Sequence, residues 1–122
     1  RVPTPLPKLD LASLGKLELE PLDERRYPAV TLAYAALRAG GTAPAVLNAA
    51  NEVAVAAFLE GKIPYRALVT VVEKVLEGHR ASPAATLEAV LAADREARRL
   101  ASELLASGAT LASPGTVAPR PA

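Results

Sequence analysis

The sequence predicts an all-α protein: a four-helix bundle preceded by an extended proline-rich arm that contains one short β-strand. Hydrophobic residues make up 51% of the 122 residues, mostly Ala, Leu and Val, with one Phe, three Tyr and no Trp. Beyond residue 28 the apolar residues recur at helical spacing, and Gly or Pro separates the periodic segments. Small aliphatic side chains of this kind suit closely packed helices better than aromatic-rich sheets.

The predicted arm covers residues 1–27. Prolines at positions 3, 5 and 7 exclude a helix there and favour extended backbone. The segment 17–20 (Leu-Glu-Leu-Glu) alternates apolar and polar residues, which is typical of a half-buried strand. Because an isolated strand is unstable and nothing later in the chain offers a partner, we expect its sheet to come from outside this chain.

The first predicted helix runs from about Pro28 to Ala39, and Gly40-Gly41 ends it as a left-handed cap requires. Its expected core-facing stripe consists of Val30, Ala33, Tyr34 and Leu37. The predicted domain that begins with this helix covers residues 28–107.

The second predicted helix covers roughly Ala43 to Glu60, with Thr42 as its expected N-cap and Pro44 in its first turn. It is apolar almost all round, so we expect it to be the most buried of the four.

The third predicted helix begins near Pro64 and ends before Gly78. Its apolar stripe comprises Tyr65, Leu68, Val69, Val72, Val75 and Leu76. The fourth starts after Ser82-Pro83 or after Thr86 and continues to about Ser107. Its expected seam comprises Leu87, Val90, Leu91, Ala97, Ala101, Leu104 and Leu105. Short connections imply antiparallel neighbours, and the aperiodic residues 108–122 are predicted to be a disordered tail.

Three polar residues, Asn48, Asn51 and Glu52, share one arc in the middle of the most apolar helix. Such groups are costly to bury unless they have partners, which favours a hydrogen-bonded cluster that fixes helix register. A docking surface for another domain is the main alternative. A catalytic Glu is disfavoured because no base, nucleophile or second carboxylate stands at a suitable spacing.

Asp94 and Arg98 interrupt the seam of the last helix one turn apart, in the favourable acid-first order for an ion pair. A structural role is favoured over an interdomain anchor. His79 is the only histidine, follows a helix end and is expected to be exposed to solvent. No Ser-His-Asp set, metal-binding carboxylate cluster or dinucleotide fingerprint is found, so these residues alone do not predict an enzyme.

Charge and composition exclude several classes of partner. The chain has 14 basic and 13 acidic residues, a net charge of +1 and no long basic run, which argues against nucleic-acid binding. No apolar stretch is long enough to predict a membrane span. The lack of cysteine suits a cytoplasmic protein. Because the chain contains no Met and opens on Arg1, we expect it to be part of a longer polypeptide.

The run LNAANEVAVAAFL at positions 47–59 resembles the C-terminal motif of the 1-deoxy-D-xylulose-5-phosphate reductoisomerases. Its surroundings are similar to that family as well. The matching segments are Arg1-Val2, Leu9-Asp10, Arg26-Tyr27-Pro28, Leu32-Ala33, Gly40-Gly41, Pro44, Ile63-Pro64-Tyr65, residues 90–94 and Ala97-Arg98. The resemblance spans about residues 1–107, and the proline-rich start and the tail after Gly108 depart from it.

The resemblance implies an identity that the residues alone do not. The family enzyme is a homodimer of the methylerythritol phosphate route to isoprenoids, and it uses NADPH and a divalent metal (Mg, Mn or Co). Its catalytic, cofactor and metal residues lie in domains that would precede Arg1. This chain would then be the C-terminal helical domain, binding no cofactor itself and bracing the missing domains. The rival interpretation is a stand-alone helical adaptor that binds a protein partner through the arm and the polar arc.

Overall fold

The computed structural model describes residues 5, 7 and 9–108 and folds them into five helices. They are α1 Leu11–Leu14, α2 Pro28–Ala39, α3 Ala43–Leu59, α4 Ala67–Gly78 and α5 Leu87–Ala106. No strand is present in this part of the chain. The predicted all-α class is therefore confirmed, with α2–α5 as the four helices of the bundle.

Helix α3 lies at the centre of the bundle because its packing against α4 and α5 is the most extensive between any two helices, and it also contacts α2. Six of its residues are buried, more than in any other helix, as its all-round apolar sequence predicts. The core is built almost entirely from small side chains. It comprises Val46, Ala49, Ala50, Ala54, Ala57, Ile63, Ala67, Val71, Val72, Val75, Ala97 and Ala101. Alanine-rich faces let helix axes approach closely, which suits a domain with so few aromatic residues.

The helix ends follow the local sequence closely. Pro stands in the first turn of both α2 and α3, and Ala89 N–H donates to Thr86 Oγ1 (3.2 Å), so Thr86 caps α5. Helix α4 begins at Ala67, three residues later than predicted, because a tight turn precedes it. In that turn Ala67 N–H donates to Pro64 O (2.9 Å).

Three predicted core stripes differ from the structure, that of the third helix only at Tyr65, which precedes α4 and is 72% exposed. In α2, Val30, Tyr34 and Leu37 are 38%, 55% and 67% exposed, and the face in contact with the bundle carries Leu32 and Ala36 instead. Because α2 is apolar on both faces, periodicity alone could not select the buried one, and the small Ala36 packs closest. The α5 seam is likewise wrong at its start, where Leu87 and Leu91 are exposed, and right at the buried Ala97 and Ala101.

The arm differs from the prediction in one detail. A single helical turn, α1, forms within it, capped by Asp10, whose Oδ1 accepts from Ala12 N–H (3.0 Å), and ended by Gly15 at φ 72°. Residues 17–20 form no strand, because no second strand lies beside them in the described part of the chain. All described residues from 9 to 31 are exposed, so the arm buries little against the bundle. Of the predicted disordered tail, all but Gly108 lies outside the described residues.

No helix within the described residues has both the length and the apolar character needed to span a membrane.

Candidate functional site

Four of the five predicted site residues meet where α3 and α5 cross. Arg98 donates two hydrogen bonds to Asp94, from Nε to Oδ2 (2.8 Å) and from Nη2 to Oδ1 (3.1 Å). The same Nη2 donates to Glu52 Oε2 (2.7 Å), and Asn48 Nδ2 donates to Glu52 Oε1 (2.9 Å). A single guanidinium therefore links a carboxylate of α5 to a carboxylate of α3.

The helical repeat and the alanine-rich core together create this network. Asn48 and Glu52 lie one turn apart on α3, and Asp94 and Arg98 lie one turn apart on α5, so each pair shares a helix face. The buried Ala97 lies beside Arg98 on α5. A small residue at this position lets the helices approach closely enough for the two pairs to join across the boundary. The network is therefore a polar rim on an apolar helix–helix contact.

The network lies at the surface rather than in the core. The side chains of Glu52, Arg98 and Asp94 are 52%, 39% and 28% exposed. The hydrogen bond from Arg98, followed by that from Asn48, lowers the pKa of Glu52 below its ordinary value. The hydrogen bonds of Arg98 to Asp94 and, second, to Glu52 raise the pKa of the guanidinium. Solvent screens such pairs, so they orient the helices more than they stabilise them.

The fifth predicted residue, Asn51, lies apart from the network. It lines a shallow groove of about 180 Å³ between α2, α3 and α4 whose other walls are apolar, including Leu32, Leu47 and Leu68. The side chain of Asn51 is exposed and makes no hydrogen bond within the described part of the chain. The shared arc predicted from the helix wheel therefore divides into two separate surfaces.

A second polar cluster was not predicted from the sequence. Thr42 is fully buried at the N-terminus of α3, where its hydroxyl caps no helical N–H. Instead Thr42 Oγ1 accepts from Ser82 N–H (3.2 Å) and lies 2.9 Å from His79 Nε2. Thr42 N–H also donates to Ser82 O (2.9 Å). His79 is half-buried by this contact rather than exposed as expected, and no local sequence signal indicates a contact across 37 residues.

The described residues offer few groups that could carry out chemistry. No set of three or more His, Cys, Asp or Glu side chains in this part of the chain is arranged to hold a metal ion. Every buried side-chain N or O atom described has a hydrogen-bond partner, so none points into an empty site. In the network at Arg98, one guanidinium is hydrogen-bonded to two carboxylates, and both of its ion pairs within the described residues are with these acids. Its geometry can fix two helices relative to each other, but it presents no free base or nucleophile.

Comparison with known proteins supports one family. The model of the DXP reductoisomerase C-terminal domain matches residues 1–100. The 1-deoxy-D-xylulose 5-phosphate reductoisomerase of Anaeromyxobacter sp. (strain K) is 52% identical over 99 residues, covering 81% of this chain and 25% of that protein. The corresponding protein of Ralstonia nicotianae is 50% identical over 107 residues, covering 88% of this chain and 27% of that protein.

A solved structure agrees with these sequence relatives. The 1-deoxy-D-xylulose 5-phosphate reductoisomerase from Zymomonas mobilis, solved in complex with NADPH, superposes with a TM-score of 0.76 at 44% identity. The match covers 86% of this chain and 28% of that one. The chain thus spans about a quarter of the length of the curated relatives that it matches.

Proposed function

The chain belongs to the DXP reductoisomerase C-terminal domain family, and from this premise we propose that it is a structural, non-catalytic domain of such an enzyme. Residues 28–107 would form the domain, and residues 1–27 would link it to the polypeptide that carries the active site. The enzyme as a whole would convert 1-deoxy-D-xylulose 5-phosphate to 2-C-methyl-D-erythritol 4-phosphate in the methylerythritol phosphate route, as a cytoplasmic homodimer.

The cofactors of that reaction would be held outside this chain. NADPH is present in the Zymomonas mobilis relative, which supports NADPH as the reductant of the whole enzyme. A divalent metal (Mg, Mn or Co) is the second expected cofactor. The described residues do not fit a metal, since they bring no three potential ligands together.

The pairing of charges in the Arg98 network is the observation that carries the structural role. Arg98 is committed to Asp94 and Glu52, and Glu52 also accepts from Asn48. Groups locked to one another in this way are poor acids and bases for a substrate, but they hold α5 against α3. We propose that these four residues maintain the bundle's shape, and that Asn51, exposed beside an apolar groove, is available to another domain.

A mixing assay tests this function. The purified chain is combined with a reductoisomerase truncated before the C-terminal domain, and NADPH oxidation is followed with deoxyxylulose phosphate and Mg²⁺. We expect the chain alone to be inactive and its addition to raise or stabilise the activity of the truncated enzyme. An unrelated helical protein at the same concentration serves as the control.

The stand-alone adaptor remains the alternative outcome. The exposed leucines of the arm, such as Leu17 and Leu19 at 70% and 92% exposure, would suit a separate protein partner equally well. If the chain neither binds the truncated enzyme nor changes its activity, the structural proposal fails and the adaptor interpretation takes its place.

A further inference from the structure

One face of α2 carries large apolar side chains that nothing in the described part of the chain covers. Val30, Tyr34 and Leu37 recur at positions i, i+4 and i+7, so they lie on a single face. They are 38%, 55% and 67% exposed, while Ala36 on the opposite face is 5% exposed against the bundle. We call these three residues the outer face of α2.

The sequence of this helix is suited to burial on both sides. A helix that only covers a bundle carries polar residues on its solvent side, but the outer face of α2 is as apolar as its packed side. A contiguous apolar patch of this kind marks a contact surface. The Arg38 guanidinium lies 5.8 Å from the centroid of the Tyr34 ring and forms no ion pair within the described residues. A positive charge therefore stands at the edge of the patch.

A second copy of the chain is a poor candidate to cover this surface. A stable dimer buries roughly 800 Å² on each partner, and three partly exposed side chains supply only a fraction of that area. The arm adds no packed patch to this face, because its described residues from 9 to 27 are exposed and α1 makes no contact with the helices of the bundle.

The polypeptide that precedes the arm is the better candidate. The matched segment is a C-terminal domain that accounts for 25% of the length of a relative, so about three quarters of such an enzyme lies before it. The arm enters α2 directly at Pro28. The preceding polypeptide is therefore tethered through the arm to the N-terminus of α2, which raises its effective concentration near this helix without any new contact.

We propose that the outer face of α2 is the surface on which the polypeptide preceding the arm docks in the full-length enzyme. This inference rests on the proposed function and adds the surface through which it acts. The docked surface would be apolar at its centre, to receive Val30, Tyr34 and Leu37, with an acceptor or carboxylate opposite Arg38.

Hydrogen exchange tests the proposal. Exchange of the α2 amides is compared between the 122-residue chain and the full-length enzyme that contains it. We expect exchange in α2 to slow by roughly tenfold or more in the full-length enzyme, since docking must be undone before this outer helix can open. Leu37→Gln should abolish most of that slowing and leave exchange in the 122-residue chain unchanged.

Leu59→Gln provides the matched control. It makes the same chemical change at a leucine of similar exposure, 77% against 67%, but on α3. We expect it to leave α2 exchange in the full-length enzyme unaltered. Equal effects of the two substitutions would contradict the proposal, as would equal α2 exchange in the two proteins.

The remaining outcomes separate this inference from the function on which it rests. If α2 becomes protected in the 122-residue chain as its concentration rises, a second copy covers the face and the proposal is overturned. If deletion of the domain inactivates the full-length enzyme while α2 exchange is the same with and without the preceding polypeptide, only the docking inference fails. If deletion leaves activity and thermal stability intact, the structural function itself fails.

Discussion

Arg98 shows how one side chain can connect two helices. Its planar guanidinium presents several donors in a fixed arrangement, which lets it bind Asp94 with two hydrogen bonds and still reach Glu52. A lysine offers a single charged centre and could not hold both carboxylates in the same geometry. The residue type, and not only its charge, therefore defines the contact between α3 and α5.

The lowered pKa of Glu52 predicts a dependence of stability on acidity. A carboxyl whose pKa is lower in the folded than in the unfolded state contributes stability above its unfolded pKa, near 4.3, and loses it as pH falls through the folded pKa. We therefore expect Glu52→Gln to reduce the fall in melting temperature between pH 6 and pH 3. The change should be small, because the carboxylate is half exposed.

Circular dichroism melts at a series of pH values measure this effect, and a double-mutant cycle assigns its cause. In an Arg98→Gln background the hydrogen bond that lowers the pKa of Glu52 most is missing, so Glu52→Gln should change the pH profile much less. An equal change in both backgrounds would show that Arg98 is not responsible.

The residues of the network differ in how far the sequence could predict them. The Asp94–Arg98 pair follows from spacing within one helix, and so does the shared face of Asn48 and Glu52. The bond from Arg98 to Glu52 does not, because it depends on how two helices cross. For the same reason the sequence placed Asn51 on one arc with Asn48 and Glu52, although its surroundings are set by α2 and α4.

At the scale of the elements, boundaries were easier to predict than buried faces. Gly and Pro mark the ends of α2 and α3, and both helices begin and end within one residue of the prediction. The rotation of each helix about its own axis, which decides which face is buried, was harder to predict. In α2, apolar residues occur all round, so pattern alone assigned Val30, Tyr34 and Leu37 to the core when the structure exposes them.

The close packing of α3 predicts a sharp contrast between two alanines. Ala54 is fully buried in the core, while Ala56 is exposed on the same helix. Because the core has no room for a larger side chain, Ala54→Leu should lower the free energy of unfolding by about 1–3 kcal/mol. A loss of this size lowers the melting temperature by roughly 4–8 °C per kcal/mol in a domain this small.

Ala56→Leu is the control, since Leu and Ala have similar helix propensities and this site faces solvent. Urea unfolding of both variants measures the difference in free energy. Comparable destabilisation by the two substitutions would mean that a leucine destabilises helix α3 at either position, whether or not the site is packed in the core.

At the scale of the whole molecule, the bundle and the arm differ in how much of their apolar surface is buried within this chain. The bundle closes its own core, whereas the leucines of the arm that the structure describes are exposed, with Leu9, Leu11 and Leu17 between 65% and 75%. Removing residues 1–26 should therefore leave the melting temperature of the chain unchanged within a few degrees. A loss above roughly 5 °C, equivalent to about 1 kcal/mol, would show that the arm packs on the bundle.

Removal of residues 1–26 should also weaken the effect of the chain on the reductoisomerase that lacks its C-terminal domain, because the arm is the proposed link between the two. Calorimetry of the shortened chain and the mixing assay together measure both expectations. If the shortened chain restores activity as well as the intact one, the arm is a passive tether.

The close contact of Gly41 with the α4–α5 loop indicates that this loop cannot accept extra residues without being displaced. A Cβ built on Gly41 would stand only 2.2 Å from Ser82 O, so the α4–α5 loop lies directly on the backbone at this point. The loop around Gly61, where a Cβ meets nothing within 4 Å, has no such contact. A peptide tag or fluorescent label would therefore be accommodated near Gly61. At Ser82 it would separate the loop from Thr42 and loosen the end of the bundle where α3 begins.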